Sequence, residues 1–172
     1  NFLGPFLLTG LLLDKLLAQE SPSRVVFVNS NVINRNTAVN LDNLNEEVRE
    51  KKDSEEEAAK KSKKWDGYEV YKRTKLEEAL FARELTERLK SSNVTISMAD
   101  PGRAKSGLSA QLDSQQFFLS RWLMKPVSFV MGERRTEKAV RPVLYAVADP
   151  DMEGKTGLFI DRERREQSWG EM

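Results

Sequence analysis

One long amphipathic helix framed by short apolar runs limits what this chain can become. From Tyr71 to Leu89, Leu76, Ala79, Leu80, Leu85 and Leu89 recur at helical spacing, and neither Pro nor Gly interrupts them. Upstream, Arg24-Val25-Val26-Phe27-Val28-Asn29-Ser30 is a short β-branched run bounded by polar residues, the pattern of a buried parallel strand. Downstream, Val94 to Ala99 alternates apolar with polar or small residues and reads as a second strand, which runs into an Asp100-Pro101-Gly102 turn. Glu133 to Ala148 reads as a further helix and Gly157 to Ile160 as a last short strand. Helices alternating with such strands predict an α/β fold, a parallel sheet of about three strands covered on both faces.

Tyr71 and Lys75 stand four apart at the head of the long helix, so their side chains share a face. A phenol ordinarily titrates near 10, and a neighbouring ammonium favours its charged form, which suits acid or base work nearer neutrality. The spacing alone decides nothing. Tyr68 and Lys72 make an overlapping copy, and any Lys-rich helix with a Tyr can produce one, a solvated Lys beside a partly buried Tyr.

The 172 residues suit one domain with a real core. Lys and Arg number 28 against 27 Asp and Glu, and a net charge of +1 gives no case for nucleic acid as the main partner. There is no Cys and no His, so disulfides, thiolate and imidazole catalysis and the usual zinc sites are excluded, and no metal is expected.

Three readings compete for the apolar run from Phe2 to Leu17. Asp14 and Lys15 break it short of a membrane span, and a signal peptide lacks its basic start, so a buried helix entered through Gly4-Pro5 is expected. The chain begins with Asn inside this run, as a piece of a longer protein does. Asn31 to Leu44 is Asn-rich and reads as loop. Glu46 to Lys64 carries seven acidic and seven basic residues, with Glu47/Lys51, Glu56/Lys60 and Glu57/Lys61 at helical spacing, and a charged, solvated insertion is expected over about 45–66. Leu108 to Lys125, with Phe117, Phe118 and Trp122, suits either plain core or the wall of an apolar pocket.

Tyr71 to Leu89 resembles the active-site helix of the short-chain dehydrogenase/reductase family, particularly its retinol-dehydrogenase-like branch. That helix reads Tyr-x-x-Ser-Lys-Leu-Ala-x-x-Leu-Phe-x-x-Glu-Leu-x-x-Arg-Leu, and Lys75-Leu76, Leu80-Phe81, Glu84-Leu85 and Arg88-Leu89 fall in register. The alignment selects Tyr71 and Lys75 over Tyr68 and Lys72. Asn1, Leu3, Gly4 and Phe6 to Thr9 match the family's Asn-His-Leu-Gly-x-Phe-Leu-Leu-Thr, and Arg24 to Ser30 matches its Arg-Val-Val-Asn-Val-Ser-Ser. Pro101-Gly102 and Ser106 match Pro-Gly-x-x-x-Thr.

The resemblance implies a partial Rossmann-like doubly wound sheet and four catalytic residues: Asn1, Ser30, Tyr71 and Lys75. It also implies that NAD or NADP is held by Tyr71, Lys75, Pro101, Gly102 and Ser106, with a hydrophobic alcohol or carbonyl of retinoid, steroid or prenol type as substrate. A homodimer and an intracellular place, at the endoplasmic reticulum membrane or in the cytoplasm, follow from the same kinship, with membrane association through a part preceding this chain. Departures are Phe2 for His, Asn29 for Ser, Asp100 for His, and basic Arg103 and Lys105 in the cofactor loop. No Gly-rich turn of the G-x-x-x-G-x-G or G-x-G-x-x-G kind occurs in the sequence, so the match is to the catalytic and substrate half of the family's domain. A non-catalytic remnant, serving as a scaffold or interaction protein, is the competing expectation.

Overall fold

The computed structural model describes residues 1–35, 39, 67–104 and 134–169. The charged stretch at 45–66, Ser106 and the aromatic segment at 108–125 lie outside them.

Helix α1 (Leu3–Leu17) leads into strand β1 (Ser23–Val28) and a 3-10 turn (Asn31–Arg35). Then come α2 (Gly67–Leu89), β2 (Val94–Ala99), the short helices α3 (Thr136–Ala139) and α4 (Arg141–Ala148), β3 (Leu158–Ile160) and β4 (Glu166–Ser168). The sheet order is β1-β2-β3-β4, with β1, β2 and β3 parallel and β4 antiparallel. β1 and β2 pair along their whole length, from Ser23 beside Val94 to Val28 beside Ala99. The fold is thus α/β with a mostly parallel open sheet. The fourth strand, Glu-Gln-Ser, is too short and polar to show as a strand in the sequence.

Side chains alternate across the sheet as the strand period requires. Val25, Phe27, Ile96, Met98 and Phe159 point to one face, where Ala79, Ala82 and Leu85 of α2 and Leu13 and Leu16 of α1 pack on them. Val26, Leu158 and Ile160 point to the other, against Val143 and Ala146 of α4 and Met152. Both faces of the sheet are therefore covered.

Two expectations are corrected. The helix from Glu133 to Ala148 is two helices, because Pro142 has no N–H to continue the ladder across Val140 and Arg141. The first helix is not buried: Leu3 is 76% exposed, Leu7, Leu8 and Leu11 are also exposed, and only Thr9 is fully covered. Among the described residues its contacts are on one side, where Phe6 meets Phe81 of α2 edge-on at 4.9 Å. Among the described residues no helix is long and apolar enough to cross a membrane.

Candidate active site

β1 ends where its backbone meets a side chain suited to stop it. Asn29, 3% exposed, accepts the Ser30 N–H on Oδ1 at 2.7 Å and donates from Nδ2 to the Lys75 carbonyl at 3.1 Å. Its own N–H still donates to the Ala99 carbonyl, so the chain turns off the sheet edge directly after it. Ser30 then stands at the C-terminal end of β1, the end at which parallel α/β sheets bind ligands. Its Oγ accepts weakly from the Val32 N–H at 3.5 Å and helps to start the 3-10 turn.

Helix α2 brings Lys75 to the same strand end, with Tyr71 one turn earlier on the helix. The Lys75 ammonium donates to the Val28 carbonyl at 2.7 Å and to Glu78 Oε2 at 2.7 Å. The ion pair is sheltered, with the Lys75 and Glu78 side chains 12% and 5% exposed. An ammonium carries three donors, so one N–H is left for another acceptor. Tyr71, one turn earlier, is half-buried and stacks on Tyr68 with ring centroids 6.5 Å apart. Tyr68 is the more exposed of the two tyrosines, and Lys72 lies 5.3 Å from its ring and pairs with Glu69, so the second Tyr-Lys copy is engaged with itself and with Glu69.

Asn1 completes the group from the other helix. Its Nδ2 donates to Thr74 Oγ1 at 3.4 Å, and the Thr74 hydroxyl donates to the Tyr71 carbonyl at 3.0 Å. Asn1 is thus tied to the backbone of Tyr71 through Thr74, and Ser30 and Lys75 are tied by their backbones through Asn29, while among the described residues no hydrogen bond directly joins the four side chains. Asn1 and Lys75 also line an open cleft of about 780 Å³ between α1 and β1, with Glu78, Leu8, Leu12 and Val28, whereas Ser30 and Tyr71 do not line it.

The Pro101-Gly102 turn follows the neighbouring strand. Asp100, 2% exposed, accepts from the Gly102 N–H on Oδ1 at 2.7 Å and from the Asn31 N–H on Oδ2 at 3.2 Å. It thereby ties the turn after β2 to the residue after Ser30. Burial pushes its carboxyl above the ordinary aspartate range, while the two N–H groups hold it back. Gly102 takes a φ of 68°, which favours glycine, and a Cβ there would sit 3.4 Å from Arg162. Pro101 and Gly102 are therefore joined to the Ser30 side of the site; the remaining cofactor candidate, Ser106, lies outside the described residues.

Glu78 and Asn29 are the positions that sequence reasoning passed over. Glu78 stands three residues after Lys75, a visible pairing distance, and Asn29 is the one amide in an apolar run.

Comparison with known proteins adds descent to this geometry. No family model matches the chain. It is 32% identical over 167 residues to retinol dehydrogenase 14 of Mus musculus, a match covering 97% of the chain and 44% of that protein. It is 28% identical over 173 residues to polyprenol dehydrogenase of Homo sapiens, covering 98% of the chain and 46% of that protein. The chain is similar over nearly its whole length to these retinol and polyprenol dehydrogenases, which are short-chain dehydrogenases/reductases. A solved short chain dehydrogenase from Salmonella enterica subsp. enterica serovar Typhi str. CT18 has the same fold, with a TM-score of 0.56 at 16% identity over 92% of this chain and 48% of that one. The chain spans somewhat under half the length of the curated relatives it matches.

Proposed function

We propose that the chain is the catalytic and substrate-binding part of an NAD(P)-dependent oxidoreductase that interconverts a hydrophobic alcohol and its carbonyl. One observation carries the reading: the helix bearing Tyr71 delivers the Lys75 ammonium to the Val28 carbonyl at 2.7 Å, two residues before Ser30. In this reading Tyr71 gives its proton to the developing alkoxide, or takes the alcohol proton in the reverse direction. Lys75 supplies the positive charge that offsets the phenolate left behind. The Ser30 hydroxyl donates to the substrate oxygen where negative charge grows, and Asn1, through Thr74, steadies the entry of the proton path.

The residues present fit the nicotinamide end of the cofactor. Lys75 keeps one donor for a ribose hydroxyl, and Pro101 and Gly102, with Ser106 in sequence, offer a tight turn at the end of β2. NAD or NADP supplies or accepts the hydride when bound. Retinol and polyprenol, for which the relatives are named, are alcohols on long apolar frames, and the reading carries that substrate class over to this chain. A second copy of the chain against the exposed leucines of α1 is the partner it carries over, and sedimentation velocity tests it.

The test is a titration with NADPH and then NADH, following nicotinamide fluorescence and melting together. Saturable binding raises stability by about 2.7 kcal/mol at a hundredfold excess over Kd. With retinol as substrate, Tyr71→Phe should lower turnover by roughly 10²-fold or more while Tyr68→Phe leaves it unchanged. No binding by a folded chain means that these 172 residues are not an oxidoreductase by themselves, and leaves either a part of one or the non-catalytic scaffold, for which the commitment of Lys75 to Glu78 and the exposed face of α1 speak. Tyr71→Phe turning over as wild type does overturns the reading.

A further inference from the structure

Away from Tyr71 and Lys75, the chain gathers cations at a second place. Arg134, Arg135, Lys138, Arg141, Arg162 and Arg164 line a concavity of about 510 Å³, with Glu163 as the one carboxylate among the described lining residues. In a chain whose positive and negative side chains number 28 and 27, six cations to one acid among the described lining residues is a local departure from balance.

The walls are built by the backbone. Arg134 forms an isolated parallel bridge with Ala104, its N–H donating to the Arg103 carbonyl at 2.9 Å, and its guanidinium donates to the Arg162 carbonyl at 2.7 Å. Arg134 and Arg162 are also the two that Glu163 serves. Among the described residues no carboxylate pairs with the side chains of Arg135, Lys138, Arg141 or Arg164.

Local energetics oppose this arrangement. Arg135, Lys138 and Arg141 follow one another at three-residue spacing, which sets like charges side by side. Arg141 opens α4, where the helix dipole disfavours a cation. Arg164 holds a φ of 65° in the tight turn after β3, a conformation that favours glycine. Three separate costs converge on one concavity, and a bound polyanion relieves the first two. Guanidinium forks match phosphate oxygens in pairs, and the volume suits one compact group rather than a polymer.

We propose that this concavity binds a phosphate-bearing group with at least two negative charges, a diphosphate or a phosphomonoester. The chemistry is shared by a free phosphorylated molecule and a lipid headgroup, and the test separates them. Wild-type chain is melted in sodium pyrophosphate and in sodium chloride of matched ionic strength, and floated with phosphatidylcholine vesicles with and without phosphatidic acid. Pyrophosphate is expected to raise Tm saturably beyond the chloride effect. Vesicle binding that needs phosphatidic acid and is displaced by pyrophosphate assigns the site to a headgroup, whereas pyrophosphate binding without flotation assigns it to a free ligand.

Arg135→Gln/Lys138→Gln should weaken pyrophosphate binding at least roughly tenfold. Arg164→Gly guards against misfolding as an explanation, because it relieves the backbone yet removes a cation. It should melt no lower than wild type without ligand and still bind pyrophosphate more weakly. The proposal is overturned if neither pyrophosphate nor phosphatidic acid has an effect beyond ionic strength, or if both folded variants bind as wild type does.

Discussion

Replacing Lys75 with Met separates the structural from the chemical use of that side chain. The change removes the ammonium but keeps most of its length, and leaves the Glu78 carboxylate, 3% exposed, without its cation. Removing one partner of a buried pair costs about 3–5 kcal/mol. The bond to the Val28 carbonyl goes too, so Lys75→Met should destabilise by about 3–5 kcal/mol. For a chain of this size that lowers Tm by roughly 6–20 °C. Lys75→Met/Glu78→Leu removes both charges and should recover most of the stability while recovering none of the turnover. Urea unfolding of Lys75→Met, Glu78→Leu and the double at pH 7 reads the coupling directly. A single variant losing under about 1 kcal/mol, or a double as unstable as the single, refutes the buried pair.

Three further outcomes follow from the same coordinates. Gly157 has a φ of 72°, and a Cβ there would lie 2.7 Å from Trp169 Nε1, whereas Gly154 has a φ of 69° with open space around it. Gly154→Ala should therefore cost about 1–2 kcal/mol from backbone strain alone, and Gly157→Ala about 1–3 kcal/mol more, measured by chemical denaturation. Asp100→Ala leaves the Gly102 and Asn31 N–H groups without their acceptor but removes a buried charge, so a net loss of about 1–3 kcal/mol is expected. The Tyr145 hydroxyl donates to Glu166 at 2.7 Å, and that bond pushes the phenol up to about 12. The folded state then keeps a proton that the unfolded state releases near 10, so this contribution is complete below pH 10 and is lost as pH rises through about 12. Absorbance titration of tyrosinate should show a late component that Tyr145→Phe deletes.

Much of this was legible because local pattern and tertiary role agree. The apolar stripe of α2 and the alternation in Val94 to Ala99 each state a face to bury, and both elements form where the pattern puts them. Composition failed where burial depends on what lies alongside. The leucines of α1 read as core, yet among the described residues only α2 and β1 back them, on one side. β4 hid because Glu166 to Ser168 owes its strand to pairing with β3 rather than to its own propensities. Around the candidate site, resemblance named Asn1, Ser30, Tyr71 and Lys75, but the links between them run through Thr74, Asn29 and backbone carbonyls that no motif encodes.

The parallel pairing of β1 with β2 sets a timetable for the chain's synthesis. β1 is made before β2, and the roughly 65 residues between Val28 and Val94 take about 3–13 s to translate, so the ladder between them waits that long. Arg24 waits longer still, since its guanidinium caps α4 through the Val147 and Asp149 carbonyls at 3.1 and 2.9 Å. The β2 side of Val25-Val26-Phe27-Val28 therefore stays open for seconds after that strand is made, and a chaperone that covers this edge should be found there during synthesis.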